Sequence, residues 1–187
     1  MGHKNWALKN RDTIYAAQTP DEISFVRDRI SLPSGHEFNY VYVDCPYEVV
    51  YVIGVNDRQE ILVINQYRYL LGENVFEVPA GSPEGEESLE AGALREFEEE
   101  AGYIAKSIRK LTSFYPSSGI TNQKCHIFLA SNLEESNQNL EESEEITVSW
   151  MHIDKAISMV HQGAIENVGA ALGIVLAERI IKNSNDS

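Results

Sequence analysis

The chain has 187 residues, enough for one domain with a full core and too few for two large ones. With 43% hydrophobic and 24% charged residues it has ordinary globular composition, which excludes collagen, coiled coil or wholesale disorder. Lys plus Arg is 15 against 29 Asp plus Glu, a net charge of −14, which argues against DNA or RNA binding and suits a collector of hard cations.

The first third is rich in strand signals. Leu32–His36 reads as a turn, and Phe38–Asp44 alternates with aromatic and β-branched residues. Val49–Val55 is a continuous apolar run, as for a strand buried on both faces. Asn56-Asp57 breaks it, and Glu60–Asn65 reads as its hairpin partner. Leu70–Asn74 is a loop, Val75–Val78 a short strand stopped by Pro79, and Gly81–Gly85 another loop. From about Glu87 to Ala101 the pattern is helical, with Leu89, Ala93 and Phe97 forming an apolar stripe and Gly102 as the stop. Ile104–Phe114 and Cys125–Ala130 follow as strands. Asn132–Glu145 is polar and acidic, and alone would pass for a disordered linker. Ile146–Met151 resumes as a strand, and Ile153–Gln162 and Ile165–Lys182 read as helices. The interleaving without a βαβ rhythm predicts α+β, a mixed sheet with helices on its faces.

Cys45 and Cys125 are too few for a disulfide scaffold or zinc cluster and read as core residues. His3, His36, His126, His152 and His161 show no ligand spacing. The first residues show no apolar signal region, and no apolar run is long enough for a membrane span. A cytoplasmic location without membrane contact is the expectation.

The helix at 87–101 carries the chemistry. Eight glutamates lie between Glu84 and Glu100, with Arg95 the only basic residue among them. Glu96, Glu99 and Glu100 project from neighbouring positions and repel unless solvated or bridged by a cation. Oxygen ligands alone suit Mg²⁺, with Mn²⁺ as substitute. Arg95 can hold a carboxylate with its planar fork, and Gly81 allows a tight turn ahead of the helix.

Gly81, Glu87, Arg95, Glu96, Glu99, Glu100 and Gly102 stand at the spacings G-x5-E-x7-R-E-U-x-E-E-x-G-U. This resembles the Nudix box, with Phe97 at the first bulky position and Tyr103 at the last, where an aliphatic is usual. The flanks Gln66-Tyr-Arg68 and Glu77–Gly81 resemble the ADP-ribose and nucleotide-sugar pyrophosphatase branch. That resemblance implies a Nudix fold, a sheet sandwiched between helices, with an N-terminal β extension. It implies that Arg68 binds substrate phosphate, that the Ala80 carbonyl meets a metal with Glu96, Glu99 and Glu100, and that Arg95 and Glu99 serve catalysis. Ser113–Gly119 matches the branch's substrate loop, but Ser118 stands where its marker proline is usual. Nucleoside diphosphate sugars, ADP-ribose and GDP-mannose included, are therefore the expected class. Glu141–Ile146 resembles the branch's E-x-E loop, making Glu142 and Glu144 the proposed base and metal contact, in either order. Ile165–Asn167 also resembles the branch and should open the last helix.

Residues 1–45 form the expected extension and 46–187 the catalytic domain. The extension implies a homodimer and part of the nucleotide pocket, where Phe25 and Tyr40, with Ser118 and Gly119, are candidates for substrate contact and Trp6 is another stacking aromatic. Two other readings stand beside this one: a housecleaning nucleoside triphosphate pyrophosphohydrolase, and a non-catalytic ADP-ribose sensor. The Gln66–Arg68 lead-in speaks against the first, and the intact box and the lack of a basic patch against the second.

Overall fold

A computed structural model describes residues 6–17 and 23–183, so His3 lies outside the described residues. The chain forms two compact units. One takes in Met1–Glu48 and Tyr115–Lys124, the other Val49–Phe114 and Cys125–Ser187. The segment 115–124, which falls inside the expected catalytic domain, thus groups with the first unit.

The first unit is an antiparallel sheet of β1 (Ala7–Ala16), β2 (Ser24–Ser31) and β3 (Glu37–Asp44), in that order. Val26, Asp28 and Ile30 are buried on one face of the central strand. Their cross-strand neighbours in β3 are Tyr42, Tyr40 and Phe38. The buried Asp28 carboxylate is paired in a fork by Arg11, with both bonds at 2.8 Å. This pairing holds the Asp28 carboxyl below the usual carboxylate range. Every residue of β1 is exposed, and Trp6 packs edge-on against Phe38. The segment 115–124 docks through a Tyr40 Oη bond to the Gly119 carbonyl (2.9 Å) and a Cys45 N–H bond to Asn122 (2.8 Å). Cys45 is therefore half-buried at the end of a strand, not in the core, whereas Cys125 is buried as expected.

The second unit has two sheets. Strands β5 (Glu60–Arg68), β6 (Glu73–Glu77) and β10 (Ile146–His152) form one, in the order β10-β5-β6. Strands β4 (Val49–Gly54), β7 (Ala80–Gly81), β8 (Tyr103–Phe114) and β9 (Cys125–Glu135) form the other, in the order β7-β4-β9-β8. Helix α1 (Leu89–Ala101) covers one side, and α2 (Ile153–His161) and α3 (Val168–Asn183) the other. The alternation of β4 explains the layers. Val50 and Val52 pack with Phe97 of α1, while Ile53 packs with Ile174 and Ala170 of α3. The result is an α+β sandwich, two sheets between one helix on one side and two on the other.

Three expectations need correction. The hairpin of 49–55 with 60–65 reduces to a single bridge, Val55 to Ile61. Strand β4 instead runs parallel to β9, and β5 pairs with β6 and β10. Both strands pack on Phe97, whose ring lies 2.6 Å from where a Gly54 side chain would begin and shares one cluster with Val50, Val52, Leu62 and Ile64. The acidic stretch is not a linker throughout, because Asn132–Glu135 continues β9 alongside Tyr103–Ala105. The last helix starts at Val168, not Ile165, because the Asn167 side chain accepts the Ala170 N–H (3.0 Å) and caps it.

Candidate active site

Helix α1 is set at both ends by local chemistry. Ser88, not Glu87, is its cap, accepting the Ala91 N–H at 3.1 Å. Gly102 ends it in the left-handed region (φ 70°), bonding back to the Glu98 carbonyl. Glu87 sits one residue ahead and ties the loop to the helix. It accepts the Glu84 N–H (2.9 Å) and faces Arg95 Nε at 3.2 and 3.3 Å.

Arg95 is the hub. Its Nη2 donates to the Ser82 carbonyl (2.9 Å), and its Nη1 to Glu96 (3.0 Å) and Glu99 (2.9 Å). It thereby clamps the loop after β7 to the carboxylates of α1. Against its own burial, the bonds to Glu87 and Glu99 raise the Arg95 pKa further, so it is a permanent cation.

The third carboxylate differs. Glu100 is only 4% exposed, and its Oε2 accepts the Ala80 N–H at 2.8 Å. Burial pushes its carboxyl up to about 8, with the Glu144 and Glu96 charges adding to the rise and the Ala80 N–H opposing it. Burial also raises Glu96, against the pull of Arg95. Gly81 is present for space rather than for a turn. Its φ is not left-handed, and a side chain there would begin 2.2 Å from the Glu96 carboxylate.

Among the described residues, no three His, Cys, Asp or Glu side chains are drawn together tightly enough to hold an ion. The reason is visible. Arg95 engages Glu96 and Glu99, and Glu100 turns to Ala80. The donor set nonetheless fits a hard divalent cation. It is all oxygen, and the buried Glu100 carboxyl lies near two further acids, Glu96 and Glu144, whose charges raise it.

Glu144 and Glu142 part company. The Glu144 N–H bonds to the Glu141 carbonyl (3.0 Å), so 141–144 is a turn and not the extended run that would point both glutamates one way. Glu144 is half-buried and close enough to raise the Glu100 and Glu96 carboxyls, whereas Glu142 is exposed. Glu144 also lines a cleft of about 560 Å³ with Gln66, Arg68 and Glu77, and the exposed Tyr69 and Leu70 stand at its lip.

Two residues without a role in the sequence reading stand behind Arg68. Glu77, 5% exposed, receives Arg68 Nε at 3.3 and 3.2 Å, and Nη2 as well. Asn167 Nδ2 donates to the same carboxylate at 3.1 Å. A glutamate inside an apolar strand, just before Pro79, was the available signal, since a buried acid needs a partner. The Gln66 amide oxygen is buried with no hydrogen-bond partner among the described residues.

The remaining expected substrate contacts lie in the first unit. Tyr40, Ser118 and Gly119 line one cleft of about 400 Å³ with Tyr42 and Tyr115. Phe25 does not join them. Tyr40 stands opposite Asp28, and Phe25 opposite Val43, so the two rings lie on opposite faces of the sheet. They cannot sandwich one base within one chain. Trp6 is taken up in packing on Phe38.

Residues 46–169 match the NUDIX domain family. The chain is 35% identical over 152 residues to an ADP-ribose pyrophosphatase of Bacillus subtilis, covering 80% of this chain and 81% of that one. It is 28% identical over 146 residues to a CMP-5'-(N-acetyl-N-hydroxy-3-aminopropyl)phosphonate hydrolase of Streptomyces rubellomurinus, covering 78% and 70%. A crystal structure of an ADP compounds hydrolase superposes with a TM-score of 0.88 at 15% identity, covering 98% of each chain, a likeness of fold. The family match, the relative at 35% identity and the carboxylate helix locked by Arg95 agree, and the chain belongs to the Nudix hydrolases.

Proposed function

We propose that the protein hydrolyses the diphosphate of nucleoside diphosphate sugars, ADP-ribose among them, to a nucleoside monophosphate and a sugar phosphate. The observation that carries this is the buried Glu100, near Glu96 and Glu144, together with a cleft lined by Arg68 and Glu144. The similarity to an ADP-ribose pyrophosphatase supports the substrate class. Water attacks one phosphorus and gives up a proton to a base, the bond from that phosphorus to the bridging oxygen breaks, and the proton passes on from the base to the leaving phosphate or to solvent.

Mg²⁺, or Mn²⁺ in its place, is the cofactor of this reading. Glu96, Glu99, Glu100, Glu144 and the Ala80 carbonyl would hold it, and it would screen the diphosphate and lower the pKa of the attacking water. Arg68 binds and orients a phosphate from the cleft wall. Arg95 stores Glu96 and Glu99 in place until the cation is bound. Glu142, exposed on its turn, takes the proton, and Glu144 contributes to the cation set. Tyr40, Ser118 and Gly119 offer the base a stacking and polar surface. Ser118 in place of the branch's marker proline makes the enzyme broad, so a hexose compound such as GDP-mannose is also cleaved.

Residues 1–45 serve a homodimer. Strand β1 supports this, being an exposed edge with Leu8, Ile14 and Tyr15 open to solvent. Light scattering at assay concentration should give twice 21.0 kDa, and an active monomer refutes the dimer. The substrate reading is tested by mass spectrometry of products from a panel of nucleotides with Mg²⁺. Release of pyrophosphate from triphosphates, with nucleotide sugars untouched, would overturn it.

A further inference from the structure

We propose that Glu77 and Asn167 form a positioning relay that sets the phosphate-binding edge of Arg68 and couples it to the start of α3. This deepens the reading of Arg68 as a phosphate ligand and rests on it. A guanidinium has five donors on three nitrogens. Glu77 occupies the Nε and Nη2 edge of Arg68. Nη1 has no acceptor among the described protein groups, so it is the end left to a ligand in the cleft. A free arginine on a strand end would sample many rotamers, whereas a forked pair fixes the plane of the group.

Glu77 is in turn fixed. It is buried, so its orientation is set by what it bonds. Asn167 Nδ2 donates to its Oε1 at 3.1 Å, while Asn167 Oδ1 accepts the Ala170 N–H at 3.0 Å. These two demands are opposite, one for a donor and one for an acceptor, and together they assign the amide orientation. No other side chain at 167 meets both at that size. Aspartate and serine would cap the helix as well as asparagine, yet neither reproduces the bond to Glu77. The position of Asn167 is itself pinned. Gly169 packs so closely on Tyr51 of β4 that a side chain there would begin 2.4 Å from the ring. The start of α3 is thus held on the sheet, and Asn167 with it.

The consequence is a ranking that helix capping alone cannot produce. Asn167→Asp keeps the cap but sets a second carboxylate against Glu77. Asn167→Ser keeps the cap, but its side chain is one atom shorter and withdraws the donor from Glu77 without adding a charge. If 167 matters for the cap, both variants behave as wild type. If it positions Arg68, Asp is the more damaging.

The experiment is steady-state hydrolysis of ADP-ribose with Mg²⁺ for the wild type, Glu77→Gln, Asn167→Asp, Asn167→Ser, Arg68→Ala and Arg68→Ala combined with Glu77→Gln. Thermal melting and calorimetric affinity for inorganic pyrophosphate accompany it. The expected result is a KM raised roughly tenfold by Glu77→Gln and Asn167→Asp, and less by Asn167→Ser, with kcat within about threefold. In the Arg68→Ala background Glu77→Gln should raise KM no further. An unchanged KM in the singles, or an equal rise with and without Arg68, overturns the relay. Should Glu77→Gln fail to fold, the Asp and Ser variants at 167 decide alone. A wild type that cleaves no nucleotide sugar overturns the substrate reading instead. The pyrophosphate affinities, in the same order of loss, then still test the relay.

Discussion

Replacing Gly81 by alanine tests whether the position of Glu96, and not merely its charge, matters. The new methyl carbon would begin 2.2 Å from the Glu96 carboxylate, where ordinary contact starts at 3.4 Å. The carboxylate must therefore retreat by 3.4 − 2.2 = 1.2 Å. Gly81 has no left-handed φ, so alanine brings no backbone strain, and the group that must move is the free end of a flexible side chain. Stability should fall by less than about 1 kcal/mol. Function is less forgiving, since a displacement near 1 Å in a catalytic constellation costs about a hundredfold. A hundredfold corresponds to about 2.7 kcal/mol of transition-state stabilisation. The assay is kcat/KM for ADP-ribose across a Mg²⁺ titration, with a melting curve as control. A Gly81→Ala protein of wild-type kcat/KM and Mg²⁺ dependence would refute the reasoning.

Glu100→Gln should cut turnover by two or more orders of magnitude yet melt no lower than the wild type in EDTA, because a neutral amide replaces a carboxyl that burial disfavours in its charged form and still accepts the Ala80 N–H. EDTA should abolish wild-type activity, and Mg²⁺ or Mn²⁺ restore it. Glu144→Gln should raise the Mg²⁺ requirement, whereas Glu142→Gln should lower kcat by roughly two to four orders of magnitude without rescue by Mg²⁺. Rescue of Glu142→Gln by extra Mg²⁺ would reverse the two roles. Asp28 titrates low because Arg11 favours its charged form. A depressed native pKa stabilises above the unfolded value of about 3.9 and is lost as pH falls through the native one. The melting advantage of wild type over Asp28→Asn should thus be present at neutral pH and shrink below about pH 4. An advantage independent of pH would contradict this pairing.

The glutamate-rich helix was legible because the Nudix box sets fixed residue types at fixed spacing, and a helix turns that spacing into one face. Ser88 shows the limit of that reading, since the helix boundary depends on which of two polar neighbours bonds the first free N–H. Pairing partners were less legible. Val49–Gly54 and Glu60–Arg68 are adjacent in sequence and both apolar, yet they pair with strands distant in sequence, β9 and β10, which no local pattern announces. That Phe25 and Tyr40 lie on opposite faces was not legible, for the same kind of reason. Which face each takes depends on the β2–β3 register, and a change of one residue exchanges the faces. Asn167 was read only as part of the opening of the last helix, because Ile165 carries the apolar period ahead of the true start of α3. Its second bond, to Glu77, spans a sequence separation of 90, beyond any local pattern.

The central claim is hydrolysis of a sugar-linked nucleoside diphosphate by water. The most direct measurement is mass spectrometry of the products from ADP-ribose and Mg²⁺ in ¹⁸O-labelled water, with Glu100→Gln run beside the wild type. The account predicts AMP and ribose phosphate in equal amounts, one ¹⁸O in one of the two, and almost no product from the variant. Intact ADP-ribose and intact hexose-linked diphosphates in the wild-type reaction, or undiminished turnover by Glu100→Gln, would contradict it.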